Sequence, residues 1–322
     1  MDEKVIDRIR GVILGSACAD SLGGSCIGLN RKDIVASLGK SGLRDFSPGL
    51  LKSVLPDHTP GAFLADVYLA LELGESLIGQ GGKFDPADLK ERFGKLLENE
   101  DFLKNAPGAI CLSSLRRVAD RLDPLNDGSP EAVHGSGAAR AYVLGCLPRR
   151  IDLVDIAVKQ AQLTQGDSRV WSAAAVIAHT VSRFVAGERI DTEDSVRGYV
   201  RTEFEVAAGI DPRFAEWWDD VAPDLDYKHP AHELPYSLLN VASEVNEAIP
   251  TAVGIFLIFR HSLEEAVSAA ACAGGHTDTA AALVGALSGA YHGASAIPAR
   301  WLDQIEHRQR LEALADDLIG LW

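Results

Sequence analysis

No stretch of this 322-residue sequence stays apolar for long enough to cross a bilayer. The longest apolar run, residues 252–259, contains Gly254 and stops after about eight residues, against the ~20 that a membrane-spanning helix requires. The first 20 residues alternate charged with apolar side chains and lack a cleavage-like end, so no secretory leader is expected. Positive charge is also scarce. Against 46 Asp and Glu there are 31 Lys and Arg, a net charge of −15 that argues against a nucleic-acid backbone or an anionic membrane as partner. A phosphate-bearing small molecule stays open, because helix N-termini and backbone amides hold phosphate without net positive charge. The cysteines (Cys18, Cys26, Cys111, Cys146 and Cys272) are odd in number and show no CxxC spacing, which fits a reduced, cytoplasmic protein. Period-2 alternation long enough to demand a sheet is missing as well.

What remains is ordinary core-forming material, 47% hydrophobic and 24% charged, punctuated by helix-start signals. Thr59-Pro60 and Asp85-Pro86 each place a capping side chain before a proline suited to the first helical position. Ser262-Leu263-Glu264-Glu265 reads as a capping box, and from Leu302 the apolar positions Ile305, Leu311, Leu314, Leu318 and Leu321 keep mostly helical spacing. Loops are expected over 39–56, 105–135 and 209–235. There is no low-complexity segment, repeat or composition break. The expectation is an all-α fold, a compact helical bundle forming one domain over 1–322.

Two segments carry small residues at four-residue spacing: Gly11, Gly15, Ala19, Gly23 and Ala281, Gly285, Gly289, Gly293. Such a ridge lets another backbone approach closely, which offsets the roughly 0.5–1 kcal/mol that each helix-interior glycine costs. Two buried central helices are therefore expected near each other, with their ends at one shared site.

Polar chemistry gathers at three places. Asp57-His58-Thr59 precedes a helix expected to open at Pro60, and His276-Thr277-Asp278-Thr279 follows Gly274-Gly275 and precedes an apolar helix. Carboxylate, imidazole and hydroxyl groups at a helix start cap its amides, and each segment holds more such groups than one cap needs. Oxygen-rich sets suit Mg²⁺ or Mn²⁺; mixed imidazole and carboxylate sets lean toward Mn²⁺, Fe²⁺ or Zn²⁺. The third place is His134-Gly135-Ser136-Gly137-Ala138-Ala139-Arg140, a small-residue turn whose amides, with Ser136, could cradle a phosphate. Elsewhere, His179 reads as a hydrogen-bonded helix residue, His229 and His232 as solvated loop histidines, and Trp217-Trp218 as a loop packed on the core. Ser16 and Ser136 show no Ser-His-Asp pattern.

The run Arg8-Ile9-Arg10-Gly11-Val12-Ile13-Leu14-Gly15-Ser16-Ala17-Cys18-Ala19-Asp20-Ser21-Leu22-Gly23 resembles the opening of ADP-ribosylglycohydrolases, roughly GxxxGxAxGDALG. Gly274-Gly275-His276-Thr277-Asp278-Thr279-Ala280-Ala281-Ala282 resembles that family's GGDTDTxAA, and Ala290-Tyr291-His292-Gly293, Ala296-Ile297-Pro298 and Trp301 resemble its close. The resemblance runs from about Arg8 to Leu318. It implies an all-α domain with two divalent ions, Mg²⁺ or Mn²⁺, positioning a water and a ribose for hydrolysis at the anomeric carbon. The partner it implies is an ADP-ribose-containing small molecule or an ADP-ribosylated protein.

Laid onto this sequence, the family's TDDT falls on Pro56-Asp57-His58-Thr59 and its DTDT on His276-Thr277-Asp278-Thr279. Its glutamate falls near Ile27, and its LTH on Leu163-Thr164-Gln165. The resemblance thus implies Asp57, His58, Thr59, His276, Asp278 and Thr279 as metal positions, with Asp57 and Asp278 at the catalytic centre. Substrate is expected at His134, Gly135, Ser136, Gly137, Gly274 and Gly275. Histidine at two ligand positions implies either one softer site for Mn²⁺, Fe²⁺ or Zn²⁺, or no ion, with imidazole charge in its place. The function expected is a hydrolase with a modified metal site. Its alternatives are a non-catalytic binder of ADP-ribose-like ligands and a structural protein reusing the fold.

Overall fold

The computed structural model describes residues 2–39, 42–50, 55, 58–105, 108–120, 133–149, 152–220 and 244–322, with the side chains of 217–220 excepted. In chain order its helices are α1 (Glu3–Gly24), α2 (Arg31–Leu38), α3 (Ala65–Gly79), α4 (Pro86–Leu96), α5 (Glu100–Lys104) and α6 (Ala109–Ala119). The short α7 (Ser136–Ala139) runs into a 3₁₀ turn over Arg140–Cys146, followed by α8 (Leu153–Gln162), α9 (Ser168–Val185), α10 (Glu193–Ala208) and α11 (Pro212–Asp220). Then come α12 (Val245–Phe259), α13 (Leu263–Ala271), α14 (Thr277–His292), α15 (Ala299–Leu302) and α16 (Arg308–Ile319). Among the described residues there is no sheet, only one antiparallel bridge between His134 and Glu244. Among the described residues, no helix is long and apolar enough to cross a membrane.

The two glycine-ridged segments become α1 and α14, the most extensively packed pair of helices. They run antiparallel. A methyl on Gly15 would sit 2.7 Å from the Gly285 carbonyl oxygen, and one on Gly11 or Gly289 would strike the opposite backbone. No side chain larger than hydrogen fits at these crossings, so the sequence period is the packing period. Because the helices are antiparallel, the C-terminal end of α1 meets the N-terminal end of α14. Thr277 Oγ1 closes that junction by donating to the Gly23 carbonyl at 2.7 Å.

The helix-start signals divide. Asp85 caps α4 as expected, accepting from the Ala87 amide at 2.8 Å with Pro86 in the first turn. Ser262 caps α13 by accepting from the Glu265 amide, but Glu265 pairs with Arg44 in a two-pronged contact at 2.8 and 2.9 Å rather than closing the box. Thr59-Pro60 does not open a helix. Gly61 adopts φ +92°, which no helix accepts, and the Ala62 amide closes a turn onto the Thr59 carbonyl. The helix begins at Ala65 instead.

The C-terminal stretch is also not continuous. It breaks after Leu302, and His307 turns left-handed at φ +51°. The break lets the Glu306 amide reach the Gly61 carbonyl at 3.0 Å, so the interruption fixes the turn that precedes α3. Within the expected loop 105–135 the chain forms α6, and within 209–235 it forms α11.

Candidate active site

Three carboxylates converge where α1, α3 and α14 meet. Asp20 lies on the last turns of α1, fully buried, and accepts a short hydrogen bond from the Leu64 amide, one residue before α3. Ser21 Oγ accepts from the Gly61 amide at 3.1 Å. Together these two α1 side chains hold the 61–64 segment so that Asp66, in the first turn of α3, faces α14. There Thr279 Oγ1 donates to Asp66 Oδ2 at 2.6 Å. Asp278, in the first turn of α14, is half-buried, and its Oδ1 has no hydrogen-bond partner; neither has Asp20 Oδ1.

The electrostatics follow from burial and like charge. The Asp20 carboxyl is held well above the usual carboxylate range by burial, then by Asp278, with the Leu64 amide opposing. Asp66 is pushed up to about 6 by burial and by Asp278, while Thr279, Arg140 and His276 pull the other way. Asp278 is raised by burial, and His276 and the amides at the helix start oppose it.

The cation facing this cluster is Arg140, fully buried under the Phe93 ring at 5.1 Å. Its guanidinium is fixed by Gln160 Oε1 at 2.7 Å, the Gln160 carbonyl at 2.8 Å and Thr164 Oγ1 at 2.8 Å. Burial draws its pKa down to about 10, with Cys111 and Asp66 opposing.

The small-residue turn lies on the same side. Gly135 packs beside Ile249 and Thr279, so the turn borders α14. Ser136 Oγ lies 3.0 Å from His134 Nδ1 and accepts from Gln165 Nε2 at 2.7 Å. Burial, then Arg140 and His276, hold His134 down to about 4, so the ring is neutral near pH 7. His134 Nε2, on the other side of the ring, is buried without a partner. Gly137 leaves room for the Gln165 amide group, which a methyl would strike. Leu163-Thr164-Gln165 thus joins the site through Arg140 and Ser136.

Of the sequence-derived candidates, Asp278, Thr279, His134, Gly135, Ser136 and Gly137 share this region, and His276 stands exposed at its edge. Asp57 lies outside the described residues, as do His229 and His232, and the Trp217 and Trp218 side chains. Thr59 is exposed in the turn. His58 is buried against Gly24, at the end of α1. Gly274 and Gly275 answer to the backbone beside them. Gly275 exchanges hydrogen bonds with Gly28 and Leu29 at 2.8 Å each, and a methyl on Gly274 would sit 2.8 Å from the Arg31 nitrogen. His179 behaves as expected, with Nδ1 3.0 Å from Glu203.

Among the described residues, the carboxylate that meets Thr279 is Asp66, at the start of α3. Asp66 and Asp20 line this region without standing among the sequence candidates, and Arg140 and Gln165, named in the sequence only as members of their segments, join them. The signal for Asp66 was available: a carboxylate at the start of an apolar helix, just past the left-handed glycine turn.

The whole-chain comparison decides the family. The sequence profile described as ADP-ribosylglycohydrolase matches residues 1–322. The chain belongs to the ADP-ribosylglycohydrolase family. The uncharacterized protein YegU of Escherichia coli K12 is 27% identical over 306 residues, covering 90% of this chain and 89% of the relative. ADP-ribosyl-[dinitrogen reductase] glycohydrolase of Rhodospirillum rubrum is 25% identical, covering 98% and 97%. ADP-ribosylhydrolase ARH3 of Homo sapiens is 22% identical, covering 97% and 93%. A solved structure titled ADP-ribosylglycohydrolase-related protein complex superposes with a TM-score of 0.77 at 24% identity, covering 99% of each chain, and so shares the fold.

The family is generally dependent on divalent metals. Here the donors near the junction are hard oxygens: Asp66, Asp278 and Thr279. Yet among the described residues no three His, Cys, Asp or Glu side chains converge as ligands of one ion. His58, His276 and Asp278 do not form such a set. The described residues do not by themselves complete a divalent-cation site.

Proposed function

We propose that this chain, acting as one unit over 1–322, hydrolyses the bond between the ribose anomeric carbon and its leaving group in an ADP-ribosyl or related N- or O-ribosyl substrate. The observation that carries this is the junction of Asp66, Thr279 and Asp278, with an unpartnered carboxylate oxygen, in a chain that matches the family from end to end.

Cleavage at an anomeric carbon builds positive charge on the ribose ring, and carboxylates aimed at the ring stabilise it. Asp278, with one uncommitted carboxylate oxygen, takes the proton from the attacking water, and a proton passes to the departing nitrogen or oxygen as its bond to the anomeric carbon breaks. Asp66, held by Thr279, stays close to its titration point near neutrality and orients the ribose hydroxyls. His134 Nε2 hydrogen-bonds a substrate hydroxyl, and Ser136 and Gln165 fix that ring. Arg140 keeps the carboxylate cluster from overcharging.

If an ion binds, the oxygen donors Asp66, Asp278 and Thr279 favour Mg²⁺ or Mn²⁺, and a contribution from the His58 or His276 imidazole would shift the preference toward Mn²⁺, Fe²⁺ or Zn²⁺. The five cysteines form no disulfide, which suits the cytoplasmic setting proposed here, and the partner is an ADP-ribose-bearing small molecule or protein.

The shortage of converging ligands favours one second reading, a protein that binds ADP-ribose-like ligands without cleaving them. Incubation with proteins ADP-ribosylated at arginine or at serine, with and without Mg²⁺ or Mn²⁺, separates the two. Release of ADP-ribose supports the hydrolase. Calorimetric binding of ADP-ribose with no release under any metal condition selects the binder.

A further inference from the structure

Outside the carboxylate site, two buried thiols face each other across segments distant in sequence. Cys26 lies two residues past α1, fully buried, and Cys272 caps the C-terminal end of α13 and is also buried. The thiols are in hydrogen-bond contact with each other. The backbone around them is already paired, since Gly28 and Leu29 exchange hydrogen bonds with Gly275, and Arg31 Nη1 donates to the Cys272 carbonyl at 2.9 Å. We propose that Cys26 and Cys272 form a redox pair, which a peroxide converts to an intramolecular disulfide tying the chain beyond α1 to the chain that leads into α14.

The two sulfurs have different chemical roles. Cys272 Sγ accepts from the Leu43 amide at 3.2 Å, and it faces the positive charges of Arg31 and Arg44. The Cys26 hydrogen bond, followed by the Leu43 amide and the two guanidinium groups, draws the Cys272 thiol down against the effect of burial. The same hydrogen bond, and then burial, push the Cys26 thiol up. Cys272 is thus the thiolate and Cys26 the resolving thiol.

In the first step, the Cys272 thiolate attacks a peroxide oxygen. The O–O bond breaks, an S–O bond forms, and the departing oxygen leaves as water after taking a proton. In the second, the Cys26 sulfur attacks the Cys272 sulfur. The S–O bond breaks, the S–S bond forms, and the displaced hydroxide leaves as water with the Cys26 proton. Two thiols and one hydrogen peroxide become one disulfide and two waters. Cys18 and Cys146 are buried with their thiols pushed up by burial and have no such partner role.

The test is to treat the folded, full-length protein with hydrogen peroxide and alkylate the remaining thiols. Peptides are then mapped without reduction. The expected result is one linked peptide pair containing Cys26 and Cys272, with two of the five thiols lost per chain and both recovered by dithiothreitol. Cys26→Ala and Cys272→Ala should each lose the link, and Cys18→Ala should keep it. The wild-type map alone is decisive if a variant fails to fold. Five intact thiols after treatment, over-oxidation of Cys272 with Cys26 still reduced, or a link only between copies of the chain would each overturn the proposal.

Discussion

Asp66 is the residue on which the site's chemistry and its cost meet. A buried carboxylate beside two others disfavours its own ionised form, and its pKa of about 6 in the fold lies above the 3.8 it has when solvated. The native state therefore holds the proton more tightly than the unfolded chain does. This contribution to stability is fully present below about pH 4 and is lost as pH rises through 6. At neutral pH the charge destabilises the fold by on the order of 2–3 kcal/mol. Asp66→Asn keeps an oxygen to accept from Thr279 and removes the charge. In metal-free protein it should raise the melting temperature at pH 7.5, with the gain shrinking as pH falls from 6 toward 4. Chemical denaturation at the two pH values checks this, and a variant less stable at pH 7.5 would contradict the electrostatic account. A site residue whose removal stabilises the protein is what a functional carboxylate cluster should show.

At the scale of helices, two glycine substitutions should act with opposite sign. Gly285, at the α1–α14 crossing, backs onto the Gly15 carbonyl and the Ala19 side chain, so Gly285→Leu forces the helices apart and should cost about 3 kcal/mol or more, seen as a large drop in melting temperature. Gly198 is exposed within α10, and a methyl there would meet nothing within 4 Å. Gly198→Ala should stabilise by roughly 0.5–1 kcal/mol, the ordinary helix gain, read as a rise in melting temperature.

The α1–α14 pair also explains what was readable in the chain. Four-residue glycine spacing is a local pattern with one packing solution, and the α4 cap is a contact between neighbours in sequence, so both were legible. The start of α3 was not, because Thr59-Pro60 is overridden by Gly61 and by contacts from Ser21, Asp20 and Glu306, which are distant in sequence. Asp278 and Thr279 could be read from their own helix start. Asp66 had a local signal as a carboxylate opening an apolar helix, but its pairing with Thr279 became visible only once α3 was placed against α14, and the role of Arg140 only when its partners on and beyond α8 were known.

Across the whole molecule, the chain brings together the end of α1, the starts of α3, α7 and α14, and the 163–165 segment. That convergence is where the proposed function places a substrate with several recognisable parts. ADP-ribose should stabilise the folded protein by about 2.7 kcal/mol at a concentration of a hundred times its Kd, and ribose alone by far less. Thermal unfolding with each ligand reads this directly, and equal shifts from both would mean that the nucleotide half finds no site. The most direct test of the account is single-turnover release of ADP-ribose from an ADP-ribosylated protein by wild type, Asp278→Asn and Asp66→Asn. The account predicts a fall of roughly 10²–10⁴-fold for Asp278→Asn and a marked fall for Asp66→Asn, with both variants folded and still binding ADP-ribose. Wild-type turnover that survives both substitutions unchanged would contradict it.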